Sequence, residues 1–104
     1  MGALTYGGGN SAISFDDRSL LHLQIVITSK LRHGEGFLVS WMDSPGVGSG
    51  RSSIWVSTAS TLLYRFHGTQ THSVNRTWIR VLMDSANSAN GLVFTSEPVD
   101  ATVP

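Results

Sequence analysis

The stretch from Asp16 to Gly34, "DDRSLLHLQIVITSKLRHG", decides the fold. Leu20, Leu23, Ile27 and Leu31 recur at three- and four-residue intervals, the spacing that lines side chains along one face of an α-helix. Asp16 or Asp17 can cap its start by accepting from the unpaired backbone N–H groups of the first turn. Lys30, Arg32 and His33 fall in the last turn, where cations oppose the negative end of the helix dipole, and Gly34 supplies a left-handed stop. A helix with one apolar stripe must lay it against a sheet or another helix.

The flanks supply both. Leu4-Thr5-Tyr6 and Ala12 to Phe15 read as two short strands around "GGGN", a cluster suited to a hairpin turn. Phe37 to Met42, Ile54 to Ser57 and Leu62 to His67 are apolar runs rich in aromatic and branched residues, separated by turn formers, and read as three more. In the last of these Leu62, Tyr64 and Phe66 alternate with Leu63, Arg65 and His67, so one face is apolar and the other mixed. A second helix is expected over Ser73 to Ala89, with Val74, Trp78, Val81, Leu82 and Ser85 on its stripe and Asn90-Gly91 as its end. Leu92-Val93-Phe94 offers a final strand. The expected fold is α+β, two helices packed on one mainly antiparallel sheet in the order ββαβββαβ. Residues 1–96 form one domain, and residues 97–104, "EPVDATVP", read as a flexible C-terminal tail.

At 104 residues and 40% hydrophobic content the chain can bury one core without staples. It has no cysteine, which excludes disulfides, thiol chemistry and cysteine-ligated zinc. The start "MGALTYGGGN" lacks the basic and apolar regions of a secretory signal, and Tyr6 stands where a myristoylation signal needs Ser or Thr. The longest apolar run, Leu20 to Ile27, is broken by His22 and Gln24 and is too short to span a bilayer. A soluble, cytoplasmic protein with no membrane partner is expected. Seven basic and seven acidic residues cancel, so no global field draws the chain to nucleic acid.

The loop Ser44 to Ser53, "SPGVGSGRSS", has the look of a phosphate cradle. Yet three residues, not four, separate Gly46 from Gly50, Arg51 replaces the lysine, and a strand follows where a helix is needed. It reads as a hairpin connection, and no cofactor is expected. His22, His33, His67 and His72 have no helical ligand spacing, so no metal is expected either. His22 reads as a partly buried helix residue and His33 as a dipole partner. Asp16-Asp17 resembles a paired-carboxylate site, but capping accounts for one and solvent exposure for the other. No nucleophile elbow is present, and no catalytic residue is assigned.

The residues left for binding are Arg51, Arg65, Arg76 and Arg80. Arg76 and Arg80 lie four apart on the second helix, off its apolar stripe, and together with Arg51 and Arg65 can meet phosphates of a nucleic acid or another anion. The alternative is a solvated face with an Arg80–Asp84 pair. Trp41, Trp55 and Trp78 are core candidates, and any of them left exposed would signal an interface.

"LTYGG", "FDDRSLLHLQIVITSKLRHGEGFLVSW", "GSGRSSIWVS", "YRFHG", "NRTWIRVLMDSANSANGL" and "EP" together resemble a family of proteins of about this length, with no established function, from actinobacteria and their phages. Some members carry a label linking them to ATP-dependent DNA ligases. Adenylation needs a lysine nucleophile in a Lys-x-Asp-Gly setting. The single lysine here is Lys30, in "SKLRHG", so the resemblance carries no catalytic residue over. What remains is a non-catalytic binding or adaptor module, acting on a partner protein or as a homo-oligomer, with nucleic-acid or nucleotide binding through the arginines as the alternative.

Overall fold

The first helix forms as α1 (Asp17–Arg32) in a computed structural model that describes residues 1–7, 11–43, 50–69 and 72–101. Asp16 caps it: its side chain accepts from the Ser19 backbone N–H at 3.1 Å and from the Ser19 hydroxyl at 2.6 Å. At the other end Gly34 takes φ 74°, a left-handed conformation that glycine adopts without strain. Before α1 come β1 (Gly2–Tyr6) and β2 (Ser11–Phe15). After it follow β3 (Phe37–Met42), β4 (Arg51–Val56), β5 (Leu62–Arg65), α2 (Arg76–Ala86) and β6 (Leu92–Val93). This is the α+β order that the sequence predicts, and most of the strand pairing is antiparallel.

The strands do not join into one sheet, as the sequence reading had it. They form two sheets of three, β2-β1-β5 and β4-β3-β6, the latter with β6 parallel to β3. The reason lies in which distant strand claims the free edge of each hairpin. In the β1–β5 register Leu4 faces Tyr64 and Tyr6 faces Leu62, which brings apolar side chains to one face. In the β3–β6 register Val39 faces Leu92, and both are buried. The Tyr6 hydroxyl donates to the Trp55 carbonyl at 2.6 Å and ties the two sheets together.

One core serves both sheets. Leu4 and Phe15 from the first sheet, Phe37, Val39, Val56 and Leu92 from the second, and the buried stripes of both helices belong to a single cluster. Phe94 joins them, with its ring centroid 5.2 Å from Phe15 and 6.0 Å from Trp78.

The second helix is shorter than its apolar spacing predicts. Asn75 is its N-cap, accepting from the Trp78 backbone N–H at 3.0 Å, so Ser73 and Val74 precede the helix. The buried stripe is Trp78, Leu82 and Ala86, whereas Val74 and Val81 face solvent. The C-cap is Asn87, and Gly91 at φ 78° lies beyond it, turning the chain into β6.

Residues 97–101, which the sequence reads as part of a flexible tail, are tied down. Glu97 accepts from Arg18 and Asn75, Asn75 also donates to the Pro98 carbonyl, and Thr77 bonds both Asp100 and the Ala101 backbone. The starts of both helices present the donors that this segment accepts from, Arg18 on α1 and Asn75 and Thr77 at α2. Two of the turns, residues 8–10 and 44–49, lie outside the described residues, so the "GGGN" turn and the centre of "SPGVGSGRSS" do too. The hairpin around the latter is nonetheless plain: β3 and β4 pair antiparallel, and the Asp43 N–H donates to the Gly50 carbonyl at 2.9 Å.

Candidate functional site

The four arginines do not share a surface. Alternation along the strands puts Arg51 on the face of β4 that also carries Ser53 and Trp55, while α2 covers the opposite face of that sheet. Arg76 and Arg80 are exposed on α2, directed away from its buried stripe. Arg65 ends β5, the edge strand of the other sheet, and lies on its outer face opposite Ala3. All four are exposed. The Arg80–Asp84 pair does not form: among the described residues the ion pairs are Arg18–Glu97 at 2.7 Å and Lys30–Glu35 at 3.0 Å.

The residues weighed for catalysis hold the fold together. Asp16 is occupied by Ser19 at the helix start. The Asp17 carboxylate accepts the backbone N–H groups of His67 and Gly68, each at 2.9 Å, and those bonds hold its pKa below the ordinary carboxylate value. It therefore fixes the segment after β5 rather than standing free in solvent. Lys30 is buried, and its ammonium donates to Asn87, pairs with Glu35 and lies 5.8 Å from the Phe37 ring centroid. An amine so engaged is no free nucleophile. Among the described residues no three His, Asp or Glu side chains come together as a metal-ligand set.

A polar network, buried at His22 and Asn75 and open to solvent at Arg18 and Glu97, joins α1, the start of α2 and the C-terminal segment, and local sequence reading misses it. His22 is fully buried, not partly, with its ring 4.6 Å from that of Trp78. Its Nε2 accepts from the Asn75 N–H at 2.8 Å, and its Nδ1 lies 2.7 Å from the Arg18 carbonyl. Arg18 grips Glu97 with two parallel bonds of 2.8 and 2.7 Å, and Asn75 adds a third at 2.8 Å. The Arg18 bond, then that of Asn75, lowers the Glu97 pKa to about 2. Arg18 and Glu97 are 79 positions apart, beyond any local signal.

Two of the open surfaces among the described residues carry exposed apolar or acidic groups suited to recognition. On the outer face of the β4-β3-β6 sheet Leu38 stands opposite Trp55 and Met42 opposite Arg51, with Ser40 and Ser53 between them sharing a hydroxyl bond of 2.8 Å. Trp55 is 56% and Met42 68% exposed, so this face shows solvent an apolar surface that helices cover on the other side. The second is a groove of about 630 Å³ between β2 and the far end of β3. Trp41 and Phe15 meet edge to face in its wall at 6.4 Å, and Asp16 and Asp43 line it.

A two-sheet α+β domain in which Asp16, Asp17 and Lys30 hold elements together defines the class. A family described as a domain of unknown function, DUF7882, matches residues 1–97, and the chain belongs to that family. No curated protein and no solved structure matches it. No helix among the described residues is long and apolar enough to cross a membrane.

Proposed function

We propose that the chain is a non-catalytic, cytoplasmic binding module that engages a protein through the outer face of the β4-β3-β6 sheet. The observation that carries this reading is the exposed Trp55, in register with Leu38 and separated from the exposed Met42 by the Ser40–Ser53 pair, on the sheet face opposite the one that α2 covers. Tryptophan is the side chain most enriched among residues that dominate binding energy at protein interfaces. The Ser40–Ser53 bond pairs one of the two hydroxyl hydrogens at the centre of the face, which lowers the cost of covering them. The net charge of zero places no repulsive field against a protein partner or a second copy.

The rival reading, nucleic-acid binding through Arg51, Arg65, Arg76 and Arg80, has less support because these residues lie on separate surfaces. It requires affinity for DNA, RNA or nucleotides that falls steeply with salt.

Light scattering over a concentration series, with cross-linked pull-down and mass spectrometry, tests the module. Leu38→Ser with Trp55→Ser should keep the fold while lowering the melting temperature by several degrees, because Leu38 is 37% and Trp55 56% exposed and each loses partial burial. It should abolish the self-association or the partner that the parent shows. A parent that stays strictly monomeric and recovers no partner, or a partner that the variant keeps, would overturn the reading.

A further inference from the structure

β2 is the outer strand of its sheet, paired to β1 on one side and, among the described residues, to no strand on the other. The outward N–H and C=O groups of such an edge are a template for another extended chain, and folds ordinarily blunt it with charge, proline or a bulge. "SAISF" has neither charge nor proline, and its register with β1 runs unbroken from Gly2↔Phe15 to Tyr6↔Ser11, which leaves no room for a bulge.

The groove runs beside this bare edge. Ala12 and Ser14 belong to one face of the sheet and Ile13 and Phe15 to the other, yet all four line it, so it follows the strand's margin rather than a face. Trp41 and Phe94 supply apolar wall, and Asp16 and Asp43 supply carboxylates, while none of the described lining residues has a basic side chain. Asp43 accepts from the Ser52 hydroxyl at 2.7 Å through one oxygen, and its second oxygen has no donor among the described residues. Unpaired strand groups call for a peptide backbone, and two carboxylates lining one groove call for a cation.

We propose that this groove binds an extended segment of a partner protein, which adds to β2 as a further strand and directs an Arg or Lys side chain to Asp16 and Asp43. The groove meets the outer sheet face described above only at Met42, and the proposal does not rest on that reading.

The test titrates the full, isotope-labelled chain with two nine-residue peptides of alternating Val and Thr, one with Arg and one with Glu at its centre. The Arg peptide should move the amide resonances of residues 12–16, slow exchange of the β2 amides and bind about fivefold or more tightly than the Glu peptide, the scale of two partly exposed charge pairs. Asp16→Asn with Asp43→Asn keeps a helix cap and an acceptor for Ser52, and should bring the two peptides to equal affinity. Should that double variant fail to fold, Asp43→Asn alone should roughly halve the logarithm of the preference. Equal binding of both peptides to the parent, or no response of residues 12–16 at millimolar peptide, overturns the proposal. Shifts confined to Leu38 and Trp55 overturn it too, while leaving the sheet-face reading intact.

Discussion

A backbone N–H can only donate and a backbone carbonyl can only accept, so the two contacts of the His22 ring fix its tautomer. Nδ1 carries the hydrogen toward Arg18, and Nε2 offers its lone pair to Asn75. In this arrangement the ring acts as a buried splice between α1 and the start of α2. His22→Leu keeps much of the volume but leaves the Asn75 N–H without its acceptor. An orphaned buried donor costs about 1–3 kcal/mol, and lost contact with Trp78 adds to it, so urea unfolding should report a loss of about 2–3 kcal/mol. A loss under about 0.5 kcal/mol would show that another group takes over the bond. At this scale the sequence discloses little: His22 sits in an apolar run and marks itself as helical, but its partner lies 53 positions away. Lys30 is similar, placed by the sequence at a helix end and by the fold against Asn87 and Glu35.

Elements were more legible where their signals are local. The cap, stripe and stop of α1 all lie within residues 16–34, and all three act as their chemistry dictates. The start of α2 was less so, because the apolar spacing extends past Asn75, whose side chain ends the helix against that spacing. Strand partners were hidden, since β1 chooses β5 and β3 chooses β6 by burial that appears only on folding. Two of the three left-handed glycines among the described residues, Gly34 and Gly91, separate backbone strain from packing. A Cβ on Gly34 would meet nothing within 4 Å, whereas one on Gly91 would lie 2.5 Å from the Leu38 carbonyl oxygen and 2.8 Å from its Cβ. Gly34→Ala should therefore cost about 1 kcal/mol of conformational strain. Gly91→Ala should cost at least about 1 kcal/mol more by pushing β6 from β3, read as a larger fall in thermal midpoint. Equal costs would mean that β6 shifts freely.

At the scale of the molecule, Glu97 fastens the C-terminal segment to the starts of both helices, and its low pKa makes that fastening sensitive to acid. A carboxylate whose folded pKa lies below its unfolded one contributes stability that is complete above about pH 4.5 and is lost as the pH falls toward about 2. Asp17 acts in the same direction. Some 34% of the Glu97 side chain is exposed, so solvent screens part of the effect. Urea titrations between pH 7 and 2 should show the parent weakening through this window, with Glu97→Gln less stable at pH 7 and flatter below pH 4.5; an unchanged slope would remove Glu97 from the account. The same fastening bears on how the chain is made. β1 waits for β5, β3 waits for β6, and Arg18 waits for Glu97. A nascent chain emerging amino end first has its early hairpins and α1 in hand, but no complete sheet, until residues beyond 60 follow, and no closed Arg18 clasp until residue 97 is free. Folding of this domain is thus completed only once residue 97 is free of the ribosome, and a ribosome stalled before residue 92 holds a chain with a raw β3 margin, the kind of species that chaperones retain.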